Sequence, residues 1–133
     1  MDYKPQIKRA VDYIEAHLCE QVSLAEVAKQ SFLSKYHFLR VFRSETGSTV
    51  MAYVRRRRLD EAARELKESD ARITSLAFKY QFGSEEAFSR AFKALFGLSP
   101  REYRSCVQAH KPLTANAAVF ARTPHRAKMR MAA

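Results

Sequence analysis

One structural unit is written twice in this chain. Leu24, Val27 and Ala28 are matched by Ile73, Leu76 and Ala77. After a one-residue shift at Gly83, Ser34, Phe38, Arg40, Phe42 and Gly47 are matched by Ser84, Phe88, Arg90, Phe92 and Gly97. Each copy therefore predicts a short helix, a turn, and a second helix that opens on a serine cap and closes on a glycine able to take left-handed angles. That layout is shared by helix-turn-helix readers of DNA and by helix pairs in bundles that bind nothing. Duplication favours the reader, because two recognition helices can meet one face of B-DNA when they lie about 34 Å apart.

The remaining pattern is helical throughout. The 133 residues include three Gly and four Pro, apolar residues recur at spacings of three and four, and strand-like alternation is missing, so the fold class is all-α. Pro5 suits a first helical turn, and Ile7, Val11, Ile14 and Leu18 mark the buried face of the first helix. Ser23 and Glu26 form a capping-box pattern for the second, with a turn near Phe32 and Leu33. In the third, Phe38, Val41 and Phe42 face inward, leaving Lys35, Tyr36, Leu39, Arg40 and Arg43 outward. A fourth helix runs from about Thr49 to Glu68 and buries Val50, Tyr53, Val54, Leu59, Ala62, Ala63 and Leu66. At ~1.5 Å per residue it is about 30 Å long, enough to set the spacing of two readers. Ile73, Leu76, Ala77 and Tyr80 mark the fifth helix; Phe88, Ala91, Phe92, Leu95 and Phe96 mark the inner side of the sixth. Ser99-Pro100-Arg101-Glu102 opens a seventh that ends near Cys106. The expected architecture is seven helices in two helix-turn-helix subdomains, 1–48 and 69–106, joined by a connector helix at 49–68 and followed by a basic tail or linker at 107–133.

Charge narrows the partner without naming it. Lys and Arg number 24 against 14 Asp and Glu, a net charge of +10 and a pI of about 10.0; this suits DNA, RNA or an anionic membrane. Residues 107–133 carry Lys111, Arg122, Arg126, Lys128 and Arg130 and no acid. They read as a tail adding nonspecific attraction to DNA, or as the start of a linker to an effector domain absent from this chain. The run Arg55 to Arg58 cannot all face one way on a helix; its members are expected to contact phosphate, pair with Asp60, Glu61 or Glu65, or stay solvated. Cys19 and Cys106 form no CxxC pair, and His17, His37, His110 and His125 lack zinc-ligand spacing. Neither cysteine sits in a nucleophile motif, so no enzyme activity, metal or cofactor is expected. The N-terminus has no signal-like or membrane-spanning apolar stretch, and the expected location is the bacterial cytoplasm, on the nucleoid.

The segments SLAEVA, SKYHFLRVFRSETG, YVRRRRLDEAARELKES, ITSLAFKYQFGSEEAFSRAFKALFG and SPREYR together make the chain resemble the DNA-binding domain of the AraC/XylS transcription regulators, especially its compact members. The resemblance runs from about Ile7 to Arg104. It implies seven helices, with the third and sixth as readers and the fourth as a rigid connector. It also implies binding as a monomer to double-stranded promoter DNA and contact with RNA polymerase as an activator.

By matching position, Tyr36 and Arg40, and Glu86 with Arg90, fall where family members contact DNA. Each arginine fork can take guanine O6 and N7, contact a phosphate, or stay solvated. Tyr36 can meet a thymine methyl, bond a phosphate, or lie partly in the core. Lys35, Arg43 and Lys93 are assigned to phosphates, with Leu39 and Ser89 flanking. Glu85 and Glu86 can accept from a cytosine amino group or simply favour the positive end of the helix. The family's usual glycine in each turn is replaced by Phe32 and Gln81, so either these residues take left-handed angles or the turns are rebuilt. The competing reading is a nucleoid-type or RNA-binding protein that uses charge without sequence choice.

Overall fold

The structure, a computed structural model, describes residues 2–109. The described residues form seven helices and no strand: α1 (Lys4–Ala16), α2 (Leu24–Ser31), α3 (Lys35–Thr46), α4 (Val50–Glu68), α5 (Ile73–Lys79), α6 (Glu85–Phe96) and α7 (Pro100–Ala109). None of these helices is long and apolar enough to cross a membrane. The anticipated caps are present. Ser34 Oγ accepts from the His37 amide and Ser84 Oγ from that of Ala87, while Gly47 and Gly97 close α3 and α6 at φ 81° and 82°. Ser99 and Glu102 form a reciprocal box at the start of α7, with bonds of 2.9 and 3.2 Å. At α2 the box is half made: Ser23 accepts from the Glu26 amide, but the Glu26 carboxylate turns to Lys29. Three ends differ from the sequence pattern. The helix α1 stops at Ala16, before the buried Leu18, α5 stops at Lys79, before the buried Tyr80, and α7 continues to Ala109.

The chain divides into two compact units between Arg57 and Arg58, inside α4. In the first, Phe38 and Phe42 are fully buried with ring centroids 5.6 Å apart, and Tyr53 meets Phe42 edge-on at 5.5 Å. In the second, Phe88 and Phe92 lie 5.7 Å apart, and Tyr103 meets Phe92 at 5.4 Å. The repeat thus extends past its closing glycines to Tyr53 and Tyr103. The start of α4 serves the first unit as α7 serves the second. The later part of α4 buries Leu59, Ala62, Ala63 and Leu66 in the second core, with the same spacing by which α1 buries Ile7, Ala10, Val11 and Ile14 in the first. One helix is the last element of one unit and the first of the other, which is why no Gly or Pro interrupts it.

Both turns keep the left-handed conformation without glycine. Phe32 has φ 62° and Gln81 φ 69°, angles that bring the Cβ of an L-residue too near its own carbonyl. The Phe32 ring is 81% exposed, with Arg9 stacked over it at 5.0 Å, so little burial offsets the strain. Phe32→Gly is therefore expected to stabilise the first unit by about 0.5–1 kcal/mol, and Phe32→Val to destabilise it by ~1 kcal/mol. Urea midpoints of the two variants should fall on opposite sides of the parent, and the same sign for both would reject the strain.

Charged ties across each unit join residues far apart in sequence. Arg57 grips Glu15 of α1 through Nε and Nη2 at 2.7 and 2.8 Å. Glu15 on α1 is thus an acid partner of Arg57 that helical spacing along α4 does not reach. Arg104 of α7 donates to the Leu66 and Ser69 carbonyls, capping the C-terminus of α4. Glu65 accepts from Lys79 at 2.7 Å and from the Tyr80 hydroxyl. Burial pushes the Glu65 carboxyl up, but the Lys79 and Tyr80 hydrogen bonds, helped by the Lys79 and Arg64 charges, outweigh it and hold the group below its usual range.

A depressed folded value stabilises above the unfolded pKa of about 4.3, and this contribution is lost as pH falls through the folded value. Glu65→Gln should flatten the fall in stability between about pH 5 and pH 3, and cost roughly 1 kcal/mol at neutral pH. Denaturation midpoints measured at each pH check this; parallel pH profiles for parent and variant would refute it.

Candidate nucleic-acid interface

Helices α3 and α6 occupy equivalent places in their units, each seated by its phenylalanine pair with its opposite face open to solvent. On α3, Lys35, Tyr36, Arg40 and Arg43 are exposed, and Tyr36 is 82% so. That exposure removes the core-aromatic reading of Tyr36 and leaves its ring and hydroxyl free for a ligand. Leu39 is half-buried and packs on the first core, so it supports the face more than it presents it. On α6, Glu85, Glu86, Arg90 and Lys93 are exposed and Ser89 is half-buried.

The side chains of Lys35, Tyr36, Arg40, Arg43, Glu86, Arg90 and Lys93 make no hydrogen bond or salt bridge with any described residue. Long cations left unpaired in this way make a face complementary to an external anion. Elsewhere on the surface, charges pair locally: Lys8 with Asp12 at 3.1 Å, and Arg64 with Glu61 and Glu68 at 3.0 and 2.9 Å.

The two faces differ in charge. The named α3 positions carry three cations and no acid, whereas those on α6 carry two of each. Glu85 is tied across the α5–α6 turn, where its carboxylate accepts from the Thr74 hydroxyl. Thr74 was not legible as a partner, since the pairing forms only once α5 and α6 pack. Glu86 is left as the acid facing outward. The arrangement offers one strongly cationic helix face and one mixed face, each with an arginine at the second turn. Neither Cys19 nor Cys106 is in a disulfide, and the described residues contain no cluster of three metal-ligating side chains.

The helix-turn-helix domain model matches residues 27–105. YbfP of Bacillus subtilis, an HTH-type transcriptional regulator, is 42% identical over 105 residues, 79% of this chain and 36% of the relative. AarP of Providencia stuartii, an HTH-type transcriptional activator, is 41% identical over 98 residues, covering 74% of this chain and 73% of the relative. The chain thus spans 36% of YbfP's length and most of AarP's. Among solved structures, the DNA-binding domain of the global transcriptional factor AdpA, in complex with a target DNA, has a TM-score of 0.75 at 31% identity, over 80% of this chain and 96% of that one.

Proposed function

The chain belongs to the AraC-type helix-turn-helix family, and from that membership we propose that it is a sequence-specific regulator of transcription that binds double-stranded promoter DNA. The observation that carries the reading is the duplicated reader: two capped helices, α3 and α6, each presenting an unpaired arginine, Arg40 or Arg90, at the same position of its unit. A guanidinium fork there matches guanine O6 and N7 in the major groove. Lys35, Arg43 and Lys93 add phosphate contacts, Tyr36 reads beside Arg40, and Glu86 selects for a cytosine amino group beside Arg90.

The acids on α6 favour this reading over a charge-only binder. Glu85 and Glu86 repel phosphate, so they weaken nonspecific attraction and help only where a base partner compensates. The protein reads two major-groove segments as a monomer, activates with RNA polymerase as partner, works in the cytoplasm, and carries no catalytic activity.

Selection from a random duplex library at physiological salt tests this. An asymmetric motif with two half-sites about one helical turn apart is expected. Failure of any motif to enrich would leave a general nucleic-acid binder.

A further inference from the structure

Between α2, α3 and the first turn of α4, within the first unit, lies a cavity of about 470 Å³, inside the ~300–1,000 Å³ range of small-molecule sites. Leu24, Leu39, Val50 and Met51 form its apolar wall, and Met51 is 42% exposed over it. Arg40, Arg43 and Thr49 complete the lining; neither guanidinium has a salt bridge or hydrogen bond with a described residue, and no acid lines the cavity. Duplex phosphates would satisfy the two guanidiniums but leave the apolar wall wet. An uncharged apolar molecule would cover the wall and leave the cations unpaired. A chain or ring bearing one carboxylate matches both, since a carboxylate meets the guanidinium fork with paired hydrogen bonds.

We propose that this groove binds a free amphipathic carboxylate, its apolar part on Leu24, Leu39, Val50 and Met51 and its carboxylate on Arg40 and Arg43, in competition with DNA. The competition rests on the assignment of Arg40 as a base reader; the binding itself does not. Ligand occupancy would withdraw Arg40 from the groove of the duplex and couple transcription to the concentration of a small acid, with no second domain required for sensing.

Octanoate is the probe, titrated into the 133-residue chain below its micelle concentration. Saturable shifts of the Leu39, Arg40, Val50 and Met51 amides in ¹H–¹⁵N spectra are expected, with half-saturation at roughly 1 mM for a ligand of this size. At ten times its dissociation constant, octanoate should weaken the selected duplex about tenfold. Octanol at equal concentration should shift the same amides less and leave the duplex bound. Met51→Gln, a surface change outside the DNA-contacting set, should weaken octanoate about fivefold while preserving duplex affinity. Absent or non-saturating shifts, or shifts centred elsewhere, would overturn the site. Saturable shifts with the duplex undisturbed would overturn the competition. A chain that shows the shifts yet selects no duplex would remove the regulatory reading and keep the groove.

Discussion

Phe92→Ala is expected to cost the second unit about 3–5 kcal/mol, the range for truncating a fully buried phenylalanine. The ring is completely buried and touches Phe88, Phe96 and Tyr103, with centroids 5.7, 4.5 and 5.4 Å away. Its removal deletes the shared neighbour of three aromatic side chains and leaves a void that short, capped helices cannot close without losing their own packing. Small domains are stable by only about 5–15 kcal/mol, so the loss removes a large share of the margin and should bring the unfolding midpoint well below the parent's. Phe92→Leu, which keeps most of the volume, should cost less than about 1.5 kcal/mol. Urea denaturation followed by circular dichroism gives both values. A loss below 1 kcal/mol for the alanine variant would show that the ring does not hold the core.

Arg40→Ala and Arg90→Ala are each expected to weaken the selected duplex by roughly 10- to 100-fold while leaving thermal stability unchanged. Both side chains are exposed and unpaired among the described residues, so truncation removes no internal contact. Loss of a bidentate base contact is worth about 1–3 kcal/mol and should relax base preference in one half-site only, a different one for each variant. Arg43→Ala should instead weaken all sequences alike and lower the salt slope by about one, as for a lost phosphate contact. Arg40→Lys keeps the charge but not the fork, so it should retain the salt slope and lose base preference. Binding isotherms on the selected duplex and on single-position variants separate these cases. Equal losses on every sequence for Arg40→Ala would reassign that residue to the phosphates.

Local chemistry written over a few positions was enough to locate the helices and most of the core. Ser34, Ser84 and Ser99 cap where the pattern placed them, Gly47 and Gly97 close α3 and α6, and the predicted stripe from Val50 to Leu66 is buried throughout. The exposed positions of α3 and α6 followed from the same periodicity, because a helix that buries every third and fourth residue must expose those between. A longer comparison of the two copies would also have paired Tyr53 with Tyr103, six residues beyond each closing glycine.

Other features depend on segments distant in sequence meeting in space. Glu15 finds Arg57 across 42 positions, and Arg104 reaches the end of α4 across 38. Glu85 is tied to Thr74, leaving Glu86 as the outward acid of α6. The left-handed angles at Phe32 and Gln81 belong to this second group, since neither residue favours them locally. Periodicity and caps are short-range and survive in any tertiary context; ion pairs, strained turns and the groove beside Arg40 exist because packed helices impose them at a local cost the whole core repays.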